Sequence, residues 1–132
     1  MLEVVCLAIA VWSECRGCPQ TEDKIGVAHV VMNRRNDDTG EFRNYNSTCD
    51  VVNQTGHFPW QGTLPKINND IDKRVWNESF DIAYSVFRGE LEDNTNGSMW
   101  FHGNHVNYVW TADLERVSVG SEVHTFWRQS ND

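Results

Sequence analysis

The sequence predicts an α+β domain in which helices dominate and a small antiparallel sheet comes last. Apolar residues recur with helical spacing in three segments, residues 2–13, 22–35 and 71–88. After the turn signal at residues 94–97, the pattern changes to short segments rich in β-branched and aromatic residues. These predicted strands are residues 98–102, 116–119 and 123–128. No repeat, linker or low-complexity tract interrupts the chain, so residues 1–132 are expected to form a single domain.

The first helix is apolar on almost every side, which is typical of a helix that is buried all round. Gly17 and Pro19 then break the pattern. The apolar stretch at residues 4–12 follows Glu3, has no basic segment before it and has no small-residue cleavage site after it. We therefore interpret this stretch as a core helix and predict no signal peptide.

The second and third helices carry recognisable ends. Thr21 can cap the second helix, and Arg34 and Arg35 in its last turn complement the helix dipole. Its expected buried stripe consists of Ile25, Ala28, Val31 and Met32. Gly89 fits the C′ position that ends the third helix. Between these helices, residues 36–61 form a long loop, and long loops in compact domains are usually functional.

The charge balance excludes some partners. The formal net charge is −8 and the basic pairs are short, so a nucleic-acid partner is not expected. No apolar run reaches the ~20 residues of a membrane span.

The four cysteines are expected to be reduced thiols, because no export signal is predicted. Cys15 and Cys18 form a CxxC pair, a pattern found in redox proteins and in half of many zinc sites. No second ligand pair accompanies it, and the histidines at 102, 105 and 124 lack a carboxylate at suitable spacing. We therefore expect no metal and no cofactor.

Glu14 is the best candidate for a catalytic acid. It ends a helix that is almost free of charge, and a carboxylate at a helix C-terminus faces the negative end of the dipole. Apolar surroundings and the dipole both favour the protonated acid, whereas the neighbouring Arg16 opposes it. An exposed glutamate at a frayed helix end is the simpler alternative.

Several segments, in order along nearly the whole chain, resemble the SleB/CwlJ family of spore cortex-lytic and phage cell-wall hydrolases. Residues 14–18 resemble the family's E-A-R-G-E motif, and residues 26–34 its A-V-A-x-V-V-x-N-R helix. The later matches are Cys49-Asp50-Val51-Val52, Gly56-His57-Phe58, Gly97 to His102, and Gly120 through His124 to Trp127. Cys18 stands where the family has the second Glu of its first motif, and Trp127 stands where it has Tyr.

The resemblance implies a lysozyme-like fold, as in lytic transglycosylases, and a catalytic acid at Glu14. That acid would protonate the oxygen between N-acetylmuramic acid and N-acetylglucosamine. As a base it would then take the proton of the muramic 6-hydroxyl, which closes a 1,6-anhydro ring without a second carboxylate. The residues expected to bind substrate are Arg16, His57, Phe58, Trp60, Trp100, His102 and His124. For each aromatic side chain, packing in the core is the alternative.

The resulting hypothesis is a monomeric lytic transglycosylase that acts on peptidoglycan glycan strands. A hydrolytic muramidase, an inactive wall-binding module on the same fold, and a CxxC redox protein are the alternatives. The absence of a predicted signal fits a phage lysin or a virion-associated enzyme that is made in the host cytoplasm and acts on the wall.

Overall fold

A computed structural model describes residues 1–54, 64–104 and 107–130. Within these ranges four helices precede a three-stranded antiparallel sheet, which confirms an α+β architecture that is mainly helical. The helices are α1 (Leu2–Cys15), α2 (Thr21–Arg35), α3 (Thr48–Val52) and α4 (Asp70–Phe87). The strands are β1 (Trp100–Gly103), β2 (Leu114–Val117) and β3 (His124–Gln129), with a 3-10 turn at Val109–Thr111. None of the helices in these ranges is long and apolar enough to cross a membrane.

Helix α1 is the centre of the larger hydrophobic cluster and packs against the other three helices. Of its residues only Leu2 is exposed. The burial on nearly all sides follows from its composition, because a helix without a polar face must be covered by other elements. The prediction of a core helix is confirmed.

Helix α2 is buried on two faces, although its sequence pattern predicted one. Ala28 and Val31 face α1 and α4 in the larger cluster, while Val27 and Val30 face the sheet in a smaller one. The smaller cluster also contains Cys15, Cys18 and Phe126. Thr21 is the first helical residue and Gln20 occupies the cap position, so the predicted cap is displaced by one residue.

The predicted long loop contains helix α3, which the sequence pattern did not reveal. The Ser47 hydroxyl caps it by accepting a hydrogen bond from the Asp50 backbone N–H at 3.0 Å. Because α3 packs on α1, Cys49 meets Cys6 with their Cα atoms 5.2 Å apart, and the two form a disulfide. Cys15 and Cys18 form a second disulfide. The expectation of reduced thiols was wrong. The sequence did not reveal these pairings, because the first depends on tertiary packing and the second on the tight turn after α1.

Helix α4 ends as its sequence predicts. Gly89 has a φ of 75°, and the Glu90 N–H donates to the Ser85 carbonyl at 2.9 Å. The Gly89 N–H donates to the Val86 carbonyl at 3.0 Å, so both bonds of a Schellman motif are present.

The sheet has the order β1-β3-β2, and its register divides the side chains between two faces. Phe101 pairs with Phe126 and Val117 also pairs with Phe126, so these side chains lie on the inner face against α2. Trp100 and Trp127 pair on the outer face. The approach of sheet to helix is close: a Cβ at Gly26 would lie 2.8 Å from the Phe126 ring.

Candidate active site

Glu14 lies in the last turn of α1 and is half-buried. The helix ends at Cys15, and the Cys15–Cys18 disulfide joins the following turn to the helix end. Cys18 Sγ lies 4.0 Å from the Glu14 carbonyl oxygen. The predicted catalytic acid is therefore held on rigid backbone at the edge of the core.

Arg34 connects Glu14 to the sheet. Its side chain is 5% exposed, and burial lowers the pKa of Arg34 to about 10, a shift that the carboxylates of Glu41 and Glu14 oppose. The guanidinium remains charged at neutral pH, so the positive charge of a buried group acts on both Glu14 and Glu41. The Arg34 Nε donates to the Met99 carbonyl at 2.7 Å, and the guanidinium lies 4.5 Å from the centre of the Phe42 ring. The sequence suggested only a helix-end role for Arg34.

A groove lies beside Arg34, between the turn at residues 37–42 and the outer face of the sheet. Its volume is about 350 Å³, and its lining includes Glu41, Phe42, Trp100 and Asp113. Trp100, one of the predicted substrate-binding residues, packs on Phe42 with ring centres 6.2 Å apart. Phe42 and Met99 both touch Arg34 and line the groove, so Arg34 borders the groove while its charge acts on Glu14.

His102 belongs to an aromatic cluster on the outer face that we call the aromatic face: His102, Tyr108, Trp110 and Trp127. Tyr108 and Trp110 are stacked at 5.6 Å, and their exposed fractions are 39% and 45%. Trp127 pairs with Trp100 across the strands, so the aromatic face and the groove share one side of the sheet. Tyr108 and Trp110 were not recognised as site residues from the sequence, although two aromatics in a polar segment are a usable signal.

His124 lies on the inner face and is only 8% exposed, which separates it from Trp100 and His102. Its Nδ1 is 2.8 Å from Oδ1 of Asp23, which is fully buried in the first turn of α2. The Ser121 hydroxyl donates to the other oxygen of Asp23 and accepts from the His124 backbone N–H at 2.8 Å. His124 therefore lies next to the disulfide, with its Nδ1 4.0 Å from Cys18 Sγ.

Arg16 faces solvent on the opposite side of the helix end. Its guanidinium lies 4.9 Å from the centre of the Trp12 ring, and it forms an ion pair of 3.8 Å with Asp72 of α4. The ion pair connects the turn after Glu14 to α4. The remaining predicted residues, His57, Phe58 and Trp60, lie outside the described residues.

The profile of the Cell Wall Hydrolase family matches residues 19–127 of the 132-residue chain. The protein therefore belongs to this family, the SleB/CwlJ type that its motifs resemble. Membership indicates a hydrolase that acts on peptidoglycan. Searches among curated proteins and among solved structures returned no match. The matched segment begins at Pro19, so the role of Glu14 depends on its motif and on its surroundings.

Proposed function

We propose that this protein is a lytic transglycosylase that cleaves the bond between N-acetylmuramic acid and N-acetylglucosamine, with Glu14 as acid and then base. The observation that carries this proposal is the position of half-buried Glu14 in the last turn of α1, in the field of buried Arg34, whose contacts Phe42 and Met99 line the groove. Two features support this role: Glu14 lies on helix backbone that fixes its position, and Arg34, whose charge acts on Glu14, borders a groove of about 350 Å³.

The reaction balances without water. Glu14 gives its proton to the glycosidic oxygen as the bond to the muramic C1 breaks, and N-acetylglucosamine leaves with a free 4-hydroxyl. The Glu14 carboxylate then takes the proton of the muramic 6-hydroxyl while that oxygen bonds to C1. The substrate's acetamido group supports the positive charge at C1 in place of a second carboxylate.

The glycan strand is proposed to follow the outer face of the sheet. The groove beside Trp100 and the aromatic face are adjacent there, and exposed aromatic rings stack well on sugar faces. Arg16, His57, Phe58 and Trp60 remain proposed contacts, and His124 is proposed to position the end of α1.

The wider organisation is also a proposal. We propose one monomeric domain over residues 1–132 with a lysozyme-like fold. Phe101, which packs against both hydrophobic clusters of the described residues, supports the single domain. The two disulfides suit an enzyme that works at the wall, outside reducing cytoplasm, and a phage lysin or virion-associated enzyme fits that setting.

Replacing the acid tests the proposal directly. Glu14→Gln is expected to lower the rate of turbidity loss of purified cell walls about 10²–10⁴-fold, because general acid catalysis contributes that much. The matched control is Glu92→Gln at an exposed glutamate, which should lyse walls at the wild-type rate. Unchanged lysis by Glu14→Gln would refute the assignment. A wild-type protein that binds walls without lysing them would indicate the inactive module.

A hydrolytic muramidase is the second candidate, because Glu41 lines the groove and its charge also reaches Arg34. In that mechanism Glu41 would activate a water molecule. Mass spectrometry of the released fragments separates the two: 1,6-anhydromuramic ends support the transglycosylase, and reducing muramic ends support the muramidase. Glu41→Gln should reduce lysis strongly only in the second case.

The CxxC redox protein is tested separately. A Cys15→Ser/Cys18→Ser variant that retains lysis would show that the pair does not carry the reaction. Loss of lysis with the fold intact, measured by circular dichroism, would favour a role for the pair in the activity.

A further inference from the structure

Four potential metal ligands from four separate places converge beneath the candidate active site. They are Cys15 at the end of α1, Cys18 in the following turn, Asp23 in the first turn of α2, and His124 at the start of β3. All four side chains are buried, and their ligand atoms lie within 4.8 Å of one another. The closest pairs are Asp23 Oδ1 to His124 Nδ1 at 2.8 Å and Cys18 Sγ to His124 Nδ1 at 4.0 Å.

This set of donors suits one ion in particular. Two sulfurs, an imidazole nitrogen and a carboxylate oxygen are ligands that Zn²⁺ takes in tetrahedral sites. Zinc bonds of about 2.0–2.3 Å place neighbouring ligand atoms roughly 3.3–3.8 Å apart in a tetrahedron. Asp23 Oδ1 and Cys18 Sγ lie 2.8 Å and 4.0 Å from His124 Nδ1, on either side of that spacing. The two sulfurs are bonded to each other, so rotation of the cysteine side chains after reduction would have to separate them.

Neighbouring side chains fix the orientation of Asp23 and His124. The Ser121 hydroxyl binds Asp23 Oδ2, which leaves Oδ1 directed at His124. The edge of the Phe101 ring packs on the His124 imidazole, with ring centres 5.2 Å apart. Val27, Val30 and Phe126 cover the cluster with apolar surface. A closed, dry site of this kind is typical of structural zinc rather than of catalytic zinc.

In the structure the two sulfurs are joined to each other, so they can become ligands only after reduction. We propose that reduction of the Cys15–Cys18 disulfide by a dithiol produces a chain that binds one Zn²⁺ through Cys15, Cys18, Asp23 and His124. The dithiol supplies two electrons and two protons and is itself oxidised to a disulfide. Zinc then displaces the two thiol protons, so binding releases protons to solvent.

The disulfide and the zinc site are then two alternative cross-links at one point of the fold. The disulfide joins the end of α1 to its own following turn. The zinc site would join the end of α1 and the turn to α2 and β3 as well. Two further elements would then hold the turn beside Glu14 in place. The zinc site does not depend on the proposed reaction, because none of the four ligands acts on the glycan in it.

Cobalt is the probe for this proposal, since Co²⁺ occupies tetrahedral zinc sites and its visible absorption reports on geometry and on sulfur ligands. The full chain is reduced with dithiothreitol, freed of reductant under nitrogen, and titrated with Co²⁺. We expect intense tetrahedral bands and a thiolate-to-cobalt charge-transfer band that saturate at one equivalent and disappear when Zn²⁺ is added. The oxidised chain should show neither band.

The matched control uses the other disulfide, which lies on the far side of α1. Cys6→Ser/Cys49→Ser should keep the cobalt spectrum, while Cys15→Ser/Cys18→Ser should lose it and Asp23→Asn should weaken binding at least tenfold. A reduced wild-type chain without tetrahedral bands would overturn the proposal. A spectrum that survives in Cys15→Ser/Cys18→Ser, or full affinity in Asp23→Asn, would overturn the assigned ligands.

Circular dichroism shows whether each variant is folded. The comparison of oxidised with reduced wild type needs no variant, so the proposal remains testable even if a variant fails to fold. The readout is metal absorption and not lysis, so failure of the zinc site and failure of the proposed lytic reaction are separate outcomes.

Discussion

The two hydrophobic clusters in the described part of the chain share helix α2 but differ in what holds them together. The larger cluster consists of apolar faces of four helices, closed by the Cys6–Cys49 disulfide. The smaller one lies beneath Glu14 and mixes apolar side chains with a disulfide, a buried carboxylate and a buried histidine. The larger cluster supplies the stable framework, and the polar groups that could serve chemistry are concentrated beside the smaller one.

The disulfides offer the largest test of this difference. Cys6 and Cys49 are separated by 43 positions, whereas Cys15 and Cys18 are separated by 3. Because a cross-link restricts the unfolded chain more when its loop is longer, Cys6→Ala/Cys49→Ala is expected to lower the free energy of unfolding by about 4 kcal/mol. The shorter loop predicts about 2 kcal/mol for Cys15→Ala/Cys18→Ala. Urea unfolding followed by circular dichroism measures both, and equal losses would contradict the entropic explanation.

The contact between α2 and the sheet gives the next test. Gly26→Ala places a methyl group 2.8 Å from the fully buried Phe126 ring, so the free energy of unfolding is expected to fall by about 1–3 kcal/mol. Gly17→Ala is the control, because its new methyl group would meet no atom within 4 Å. Its effect should stay within about 0.5 kcal/mol. A thermal unfolding scan of both variants decides whether the packing beside the smaller cluster is tight.

The smallest expected effect concerns the turn between the helical region and the sheet. Burial raises the pKa of Asp93, but hydrogen bonds from Thr95, Asn33 and Gly97 outweigh it, so that the pKa is lowered overall. A lowered folded-state pKa stabilises the fold above the ordinary aspartate pKa of about 4, and that stability is lost as the pH falls below it. Asp93→Asn should therefore cost about 1 kcal/mol at pH 7 and progressively less toward pH 3.

The control for this turn is Asp38→Asn, which removes the same charge at an exposed loop aspartate. Unfolding curves at pH 7, 5 and 3 provide the comparison. A constant difference between Asp93→Asn and the wild type at all three pH values would contradict a charge effect.

Predictions from the sequence succeeded where structure depends on neighbouring residues. The apolar helix α1, the Gly89 termination of α4 and the late antiparallel strands were all predicted to within a few residues. Helix α3 was missed because it is only five residues long and lies in a segment rich in turn residues. The second buried face of α2 was missed because the residues that cover it come from the sheet, about a hundred positions away.

The site shows the same division. The sequence alone determined the order of helices and strands. It also singled out Glu14 from its motif and its place at the end of an apolar helix, and that assignment stays a prediction. Only the tertiary structure paired the cysteines, placed Asp23 beside His124 across 101 positions, and linked Glu14 with Glu41 through Arg34. The physical reason is range: helix periodicity and caps depend on residues within a few positions of one another. Buried pairs and metal-ligand sets depend on contacts that exist only after the helices and the sheet have packed.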